Sequence, residues 1–174
     1  MTNVNIWCIA GNDSSGGAGL AADQRAVEAF AGTHFCGVVA AVTAQHSHAV
    51  THIAPLDVSL IDAQLAALEH DLPPAALKTG LLGGAAQVRC VARWIDRLRE
   101  RDPELPLVVD PVLAASSGAA FADADTLAAY RAELLPRATL VTPNRREAAA
   151  LLGRAEPGQG EIPALADALR GLGA

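Results

Sequence analysis

Apolar and polar positions fall in blocks along this chain, and the blocks alternate in period. The run from Ile6 to Ala10 is continuously apolar and predicts a strand over residues 4–10. A glycine-rich stretch follows, and a helix is expected over residues 17–31. Residues 35–43 form a second unbroken apolar run, the kind that is buried on both faces of a sheet. Residues 44–55 turn polar and carry histidines, which predicts a loop or a short edge ribbon. Asp57 is placed to cap a helix running to about His70, with Leu60, Ile61, Leu65 and Leu68 at helical spacing. Pro73 and Pro74 stop it.

The alternation continues to the end of the chain. Short strands are expected at residues 75–79, 105–109 and 139–142. Helices are expected at 85–101, with Val88, Val91, Trp94, Ile95 and Leu98 on one side, and from a cap at Asp123 or Asp125 to about Leu134, ended by Pro136. Asn144 starts another through Leu152, and residues 161–172 form a last amphipathic segment after a loop. Strands alternating with helices, without hairpin turns, predict right-handed βαβ crossovers. The expected fold class is α/β: a mainly parallel sheet with helices on both faces, built as a single domain over residues 1–174.

Composition narrows the function classes. The chain has 174 residues, 51% of them hydrophobic but only 3% aromatic, with a formal net charge of −6. No basic stripe appears, which argues against a nucleic-acid partner. No apolar run approaches a membrane span, and the first residues lack the basic region of a signal peptide. Cys8, Cys36 and Cys90 are widely spaced in apolar segments and read as buried free thiols in a reducing, cytoplasmic compartment.

The candidate chemistry begins with Gly11-Asn-Asp-Ser-Ser-Gly-Gly-Ala-Gly19, directly after the first strand. Its glycines let the backbone turn sharply and let a ligand approach the N–H groups at a helix start, where anions and polar edges are favoured. Asp23 follows about one helical turn later, within reach of the same cavity. The stretch is not a nucleotide P-loop, because Gly17 and Ala18 stand where Lys and Ser/Thr are needed. Gly17-x-Gly19-x-x-Ala22 has the spacing of the dinucleotide fingerprint, but its first glycine pair falls inside the expected helix start rather than in the turn before it.

Ligands of open parallel sheets bind beyond the carboxyl ends of the strands, and this chain places polar groups at each such end. They are Thr43 and Gln45, Lys78-Thr79-Gly80, Asp110-Pro111, and Thr142-Pro143-Asn144 with Glu147. Taken singly, each has a plain structural role. Asn144 and Glu147 fit a capping box as well as a metal-linked role, and Lys78 fits a solvent-facing position. His46, His48 and His52 lack metal-ligand spacing and fit a flap better.

The blocks Ile9–Gly19 with Asp23, Thr43-Ala-Gln45, Lys78-Thr-Gly-Leu-Leu-Gly83, Val109-Asp-Pro-Val112, Ser117-Gly118 and Thr142-Pro-Asn-x-x-Glu147 occur in one order over nearly the whole chain. In this the sequence resembles the hydroxymethylpyrimidine/phosphomethylpyrimidine kinases of thiamine biosynthesis, within the ribokinase-like superfamily. The resemblance implies transfer of phosphate from ATP, with Mg²⁺, to 4-amino-5-hydroxymethyl-2-methylpyrimidine and then to its monophosphate. It implies that Asp23 and Gln45 hydrogen-bond the aminopyrimidine, helped by the Gly11 backbone, between walls of Thr43, Leu81 and Val112. Asp110 and Glu147 would face the phosphate and Mg²⁺, with Asn144 nearby.

Some positions depart from that pattern: Ala21 stands for a usual Gln, His46 for Asn, Thr79 for Ile, and Leu81 and Leu113 for Met. The family's later Lys-Gly-Gly-His-like strand and Gly-Thr-Gly-Cys-Thr-like turn have no counterpart here, so no catalytic Cys or anion hole is assigned. The expectation is therefore a C-terminally truncated ribokinase-like fold carrying the pyrimidine half of the site. Two other readings stand beside an incomplete kinase: a pyridoxal-type kinase, and a non-catalytic pyrimidine-binding or regulatory module. A homodimer remains open as the assembly.

Overall fold

The structure is a computed structural model, described here for residues 4–46, 48–114, 121–156, 158 and 161–173. Ser117 and Gly118 lie outside the described residues. Six strands form one sheet in the order β3-β2-β1-β4-β5-β6. They are β1 (Val4–Asp13), β2 (Thr33–His46), β3 (Ala49–Pro55), β4 (Ala76–Thr79), β5 (Leu107–Val109) and β6 (Leu140–Val141). All neighbouring pairs are parallel except β2 with β3.

That pair corrects the expectation of a sheet without hairpins. Of the two readings given for residues 44–55, the edge ribbon holds rather than the loop: β2 runs on through His46, and β3 folds back against it as an antiparallel edge strand. The polar face that suggested a loop is the exposed side of an edge, where charge and polarity are normal. β1 and β2 are each longer than predicted for a related reason. Asn12, Asp13, Gln45 and His46 are polar, yet their backbones stay in the ladder.

Side-chain alternation along β1 splits the core between two faces. Cys8 and Ala10 pack with Leu20 of α1 (Gly19–Glu28). Trp7 and Ile9 face the larger core, with Ile61 and Leu65 of α2 (Val58–Asp71) and Val88, Val91, Trp94, Ile95 and Leu98 of α3 (Ala85–Arg99). Helices thus cover both faces. Trp7 and Trp94 are each at most 4% exposed, and their indole N–H groups donate to Leu72 O and to the Asp62 carboxylate, both at 2.8 Å. Leu60 departs from its expected place: it is 50% exposed, one position off the buried stripe of α2.

Asp57 caps α2 and Asp123 caps α4 (Ala124–Ala129). The single helix expected up to Leu134 instead changes pitch, passing into a π turn at Tyr130–Leu134 and a 3₁₀ turn at Leu135–Arg137. Pro136 sits at the start of the 3₁₀ turn, where its missing N–H leaves no bond unmade. α1 starts at Gly19 rather than residue 17 and ends at Glu28, with Gly32 at φ +83° turning the chain into β2. α5 (Arg145–Leu152) closes on Gly153 in the left-handed conformation, and α6 (Ile162–Arg170) packs beside it. The three cysteines are buried and free.

Candidate functional site

The carboxyl ends of β1, β2, β4 and β5 open onto one cavity of about 590 Å³, a size suited to a small molecule. Gly11, Thr43, Gln45, Leu81, Asp110 and Val112 line it; Asp23, Asn144 and Glu147 do not. The hairpin adds His46, His48 and Val50, and β4 adds Lys78. A second groove, of about 480 Å³ between residues 139–143 and α6, is lined by Thr142 and Pro143 of the strand-end groups but by none of the residues assigned to ligand or Mg²⁺.

The glycine loop is held from within. The Asp13 carboxylate, 6% exposed, accepts from the backbone N–H groups of Ser15 (2.8 Å), Gly17 (3.0 Å) and Ala18 (2.8 Å), and from the Ser15 hydroxyl (2.8 Å). Burial works to raise its pKa, but these hydrogen bonds outweigh it and hold the group below the usual carboxylate range. The N–H groups expected to await a ligand are therefore already occupied by an internal anion. The Ser14 hydroxyl donates to Gln45 O at 2.7 Å and accepts from Gln45 N–H at 2.8 Å, tying the loop to β2. Thr43 Oγ1 donates to Asn12 O at 2.9 Å.

Gly19 must be glycine twice over. Its φ is +56°, and a Cβ there would lie 2.3 Å from Gly11 O.

Asp23 is engaged differently from the sequence reading. Both of its carboxylate oxygens accept from Lys78 Nζ, at 3.0 and 3.2 Å, and Asp110 lies 3.5 Å from the same ammonium. The side chains are 16%, 25% and 34% exposed for Asp23, Lys78 and Asp110, so Lys78 does not point freely into solvent. Burial raises the Asp110 pKa, and the neighbouring Lys78 works against that rise. A Cβ on Gly80 would come within 3.2 Å of the Lys78 ammonium, so the bare glycine leaves it room.

Asn144 and Glu147 form the capping box of α5. Asn144 Oδ1 accepts from Glu147 N–H at 3.0 Å, and Glu147 Oε2 accepts from Asn144 N–H at 2.8 Å. Burial raises the Glu147 pKa, the Asn144 and Leu113 N–H groups pull it back, and the charge of Asp110 adds to the rise. Asp110 is therefore close enough to be felt, although Glu147 stands outside the cavity wall. Among the described residues, no cluster of three or more His, Cys, Asp or Glu side chains is arranged to hold a metal ion.

Sequence reasoning overlooked Asp13 as an organising group and undervalued Lys78. The first had a local signal, because Asp followed by Ser-Ser-Gly-Gly favours a side chain that bonds its own backbone two residues on. The second had one in register: Lys78 stands in a buried strand beside Cys8, where a cation needs a partner.

A mainly parallel sheet, a glycine loop on its first strand and a cavity at the strand ends make up a ribokinase-like α/β fold, the fold of the solved kinases on which the chain superposes. A family profile described as phosphomethylpyrimidine kinase matches residues 13–174. A hydroxymethylpyrimidine/phosphomethylpyrimidine kinase of Rhizobium meliloti is 38% identical over all of this chain and 63% of its own length. One from Haemophilus influenzae is 39% identical with the same coverage. The crystal structure of Clostridium difficile phosphomethylpyrimidine kinase superposes with a TM-score of 0.83 at 29% identity, over 98% of this chain and 72% of that one. A Bacillus subtilis pyridoxal kinase in complex with ADP gives 0.85 at 28% identity, over 99% and 63%.

The chain belongs to the phosphomethylpyrimidine kinase family. It spans about 60% of the length of the curated relatives it matches.

Proposed function

We propose that this chain forms the pyrimidine-binding part of an ATP-dependent, cytoplasmic kinase that phosphorylates 4-amino-5-hydroxymethyl-2-methylpyrimidine and its monophosphate. The observation that carries the reading is that Gly11, Thr43, Gln45, Leu81, Asp110 and Val112 all line one cavity in a member of this family. Thr43, Leu81 and Val112 form the walls for the flat ring, and Gln45 and the Gly11 backbone supply polar contacts to its edge. Asp23 acts beside them through Lys78.

Phosphoryl transfer depends on positioning and on neutralising charge. A bound Mg²⁺ would supply positive charge to the phosphate groups. Carboxylate oxygens are the donors it prefers, and Asp110, which lines the cavity, is the residue that would hold it. Glu147 offers the same chemistry but has one oxygen engaged by the α5 cap. A homodimer is compatible with this reading.

The pyridoxal-type reading draws on the likeness to solved pyridoxal kinases, among them a Staphylococcus aureus enzyme in complex with pyridoxal (TM-score 0.85, 27% identity, over 100% of this chain and 61% of that one). Calorimetry with the hydroxymethylpyrimidine and with pyridoxal separates the two. Tighter binding of the pyrimidine is expected, and a wide preference for pyridoxal would reject the proposal. An ATP-turnover assay on the same chain distinguishes a kinase from a module that only binds.

A further inference from the structure

The glycine loop carries more order than a turn needs. Three backbone N–H groups and one hydroxyl converge on Asp13 between β1 and the start of α1. Such a concave set of donors at a helix start is the arrangement that takes up phosphates and other anions. Here it is filled by a side chain that is itself almost wholly buried. The next residue, Ser14, makes both of its hydrogen bonds to the backbone of Gln45. Gln45 in turn reaches the cavity, its amide oxygen 3.4 Å from the Thr43 hydroxyl, whose one hydrogen goes to the nearer Asn12 O at 2.9 Å.

We propose that Asp13 is a positioning residue of the cavity: its carboxylate takes the place of a ligand's anion in the loop and, through Ser14, fixes Gln45 at the wall. This rests on the pyrimidine reading above and deepens it. An occupied ring of donors has nothing left for a phosphate. The Asp13 charge also disfavours a second anion beside it, since two like charges at close range repel. The loop therefore serves the neutral ring of the ligand.

The test is chemical replacement of the missing carboxylate. In Asp13→Ala, the affinity for the hydroxymethylpyrimidine, read by calorimetry, is expected to fall about tenfold, as for loss of a charge-assisted hydrogen-bond set. Sodium formate should then raise the melting temperature of the variant but not of the unaltered chain, and recover part of the affinity. Unchanged pyrimidine affinity in the variant, or a formate effect equal in both proteins, overturns the proposal.

Should Asp13→Ala not fold, Ser14→Ala carries the same argument from an exposed residue. Its pyrimidine affinity is expected to drop about threefold, the effect of a neutral hydrogen bond, with an unaltered melting temperature. Full affinity there would overturn the link to Gln45. If the unaltered chain binds no pyrimidine, the functional reading fails by itself. The formate arm then still decides whether Asp13 fills an anion site.

Discussion

Lys78 Nζ lies 3.0 Å from Asp23 Oδ1, so a cation on β4 is joined to a carboxylate on α1, 55 residues away in sequence. Asp110, beyond β5, completes a three-membered ion cluster, of which Lys78 and Asp110 line the cavity. Lys78→Met would leave two part-buried carboxylates without their shared counter-ion. Hydrogen bonds to charged groups contribute about 1.5–3 kcal/mol each when made and are expensive to leave half-made. Urea denaturation of the variant should show a loss in that range. A change below about 0.5 kcal/mol would mean that solvent screens the cluster as it screens surface pairs.

Asp13 sets an acid limit on the loop. Its folded pKa lies below the ordinary value, whereas in the unfolded chain it returns to about 3.9. The unfolded state therefore binds the proton first. The resulting stability is fully present above the unfolded value and is lost as pH falls through the folded one. Melting temperature followed from neutral pH down to about 3 should decline less steeply in Asp13→Asn than in the unaltered protein. Parallel acid slopes would show that the carboxylate gains nothing from its four donors.

Thr79 is fully buried in the larger core, and its hydroxyl has no hydrogen-bond partner among the described residues. An unmet buried hydroxyl costs about 1–3 kcal/mol. Thr79→Val keeps the β-branched shape and removes the oxygen, so it should stabilise the fold by about 1 kcal/mol. Destabilisation in a denaturant titration would point to a hidden partner for Oγ1.

The three thiols offer a probe of packing. Burial, reinforced by the charge of Asp23, pushes the Cys8 thiol up to about 12, and burial raises Cys36 and Cys90 as well. Thiolate is the reactive form. A disulfide reagent at pH 8 should therefore label the native protein slowly and all three cysteines after addition of guanidinium. Rapid labelling of any one in the native state would contradict the packing around it.

Much of this architecture is written locally in the chain. The unbroken apolar runs announce β1 and β2 as interior parallel strands, and Asp57 and Asn144 mark their helix starts as capping chemistry requires. What stayed hidden depends on partners distant in sequence. The ladder between β2 and β3 is made by backbone groups, which carry no sequence signature, so polar side chains left loop and edge ribbon both open. Asp23 looked like a ligand contact because its helix position demands a polar partner. Only the register of β4 beside β1 reveals that the partner is Lys78. Six of the nine residues named from sequence share the cavity wall, because the rule that strand ends gather there is topological. Glu147 was ambiguous for a different reason: a capping glutamate and a metal-binding one are the same residue type.

Both indoles, Trp7 and Trp94, are sealed in the compartment between the sheet and the α2–α3 layer, while neither takes part in the cavity wall. Their fluorescence consequently reports collapse of that compartment and is spared direct quenching by whatever enters the pocket. Emission during a denaturant ramp tracks one half of the molecule, and a probe attached near Ser14 would track the other. Disagreement between the two traces would time the release of the loop relative to global melting.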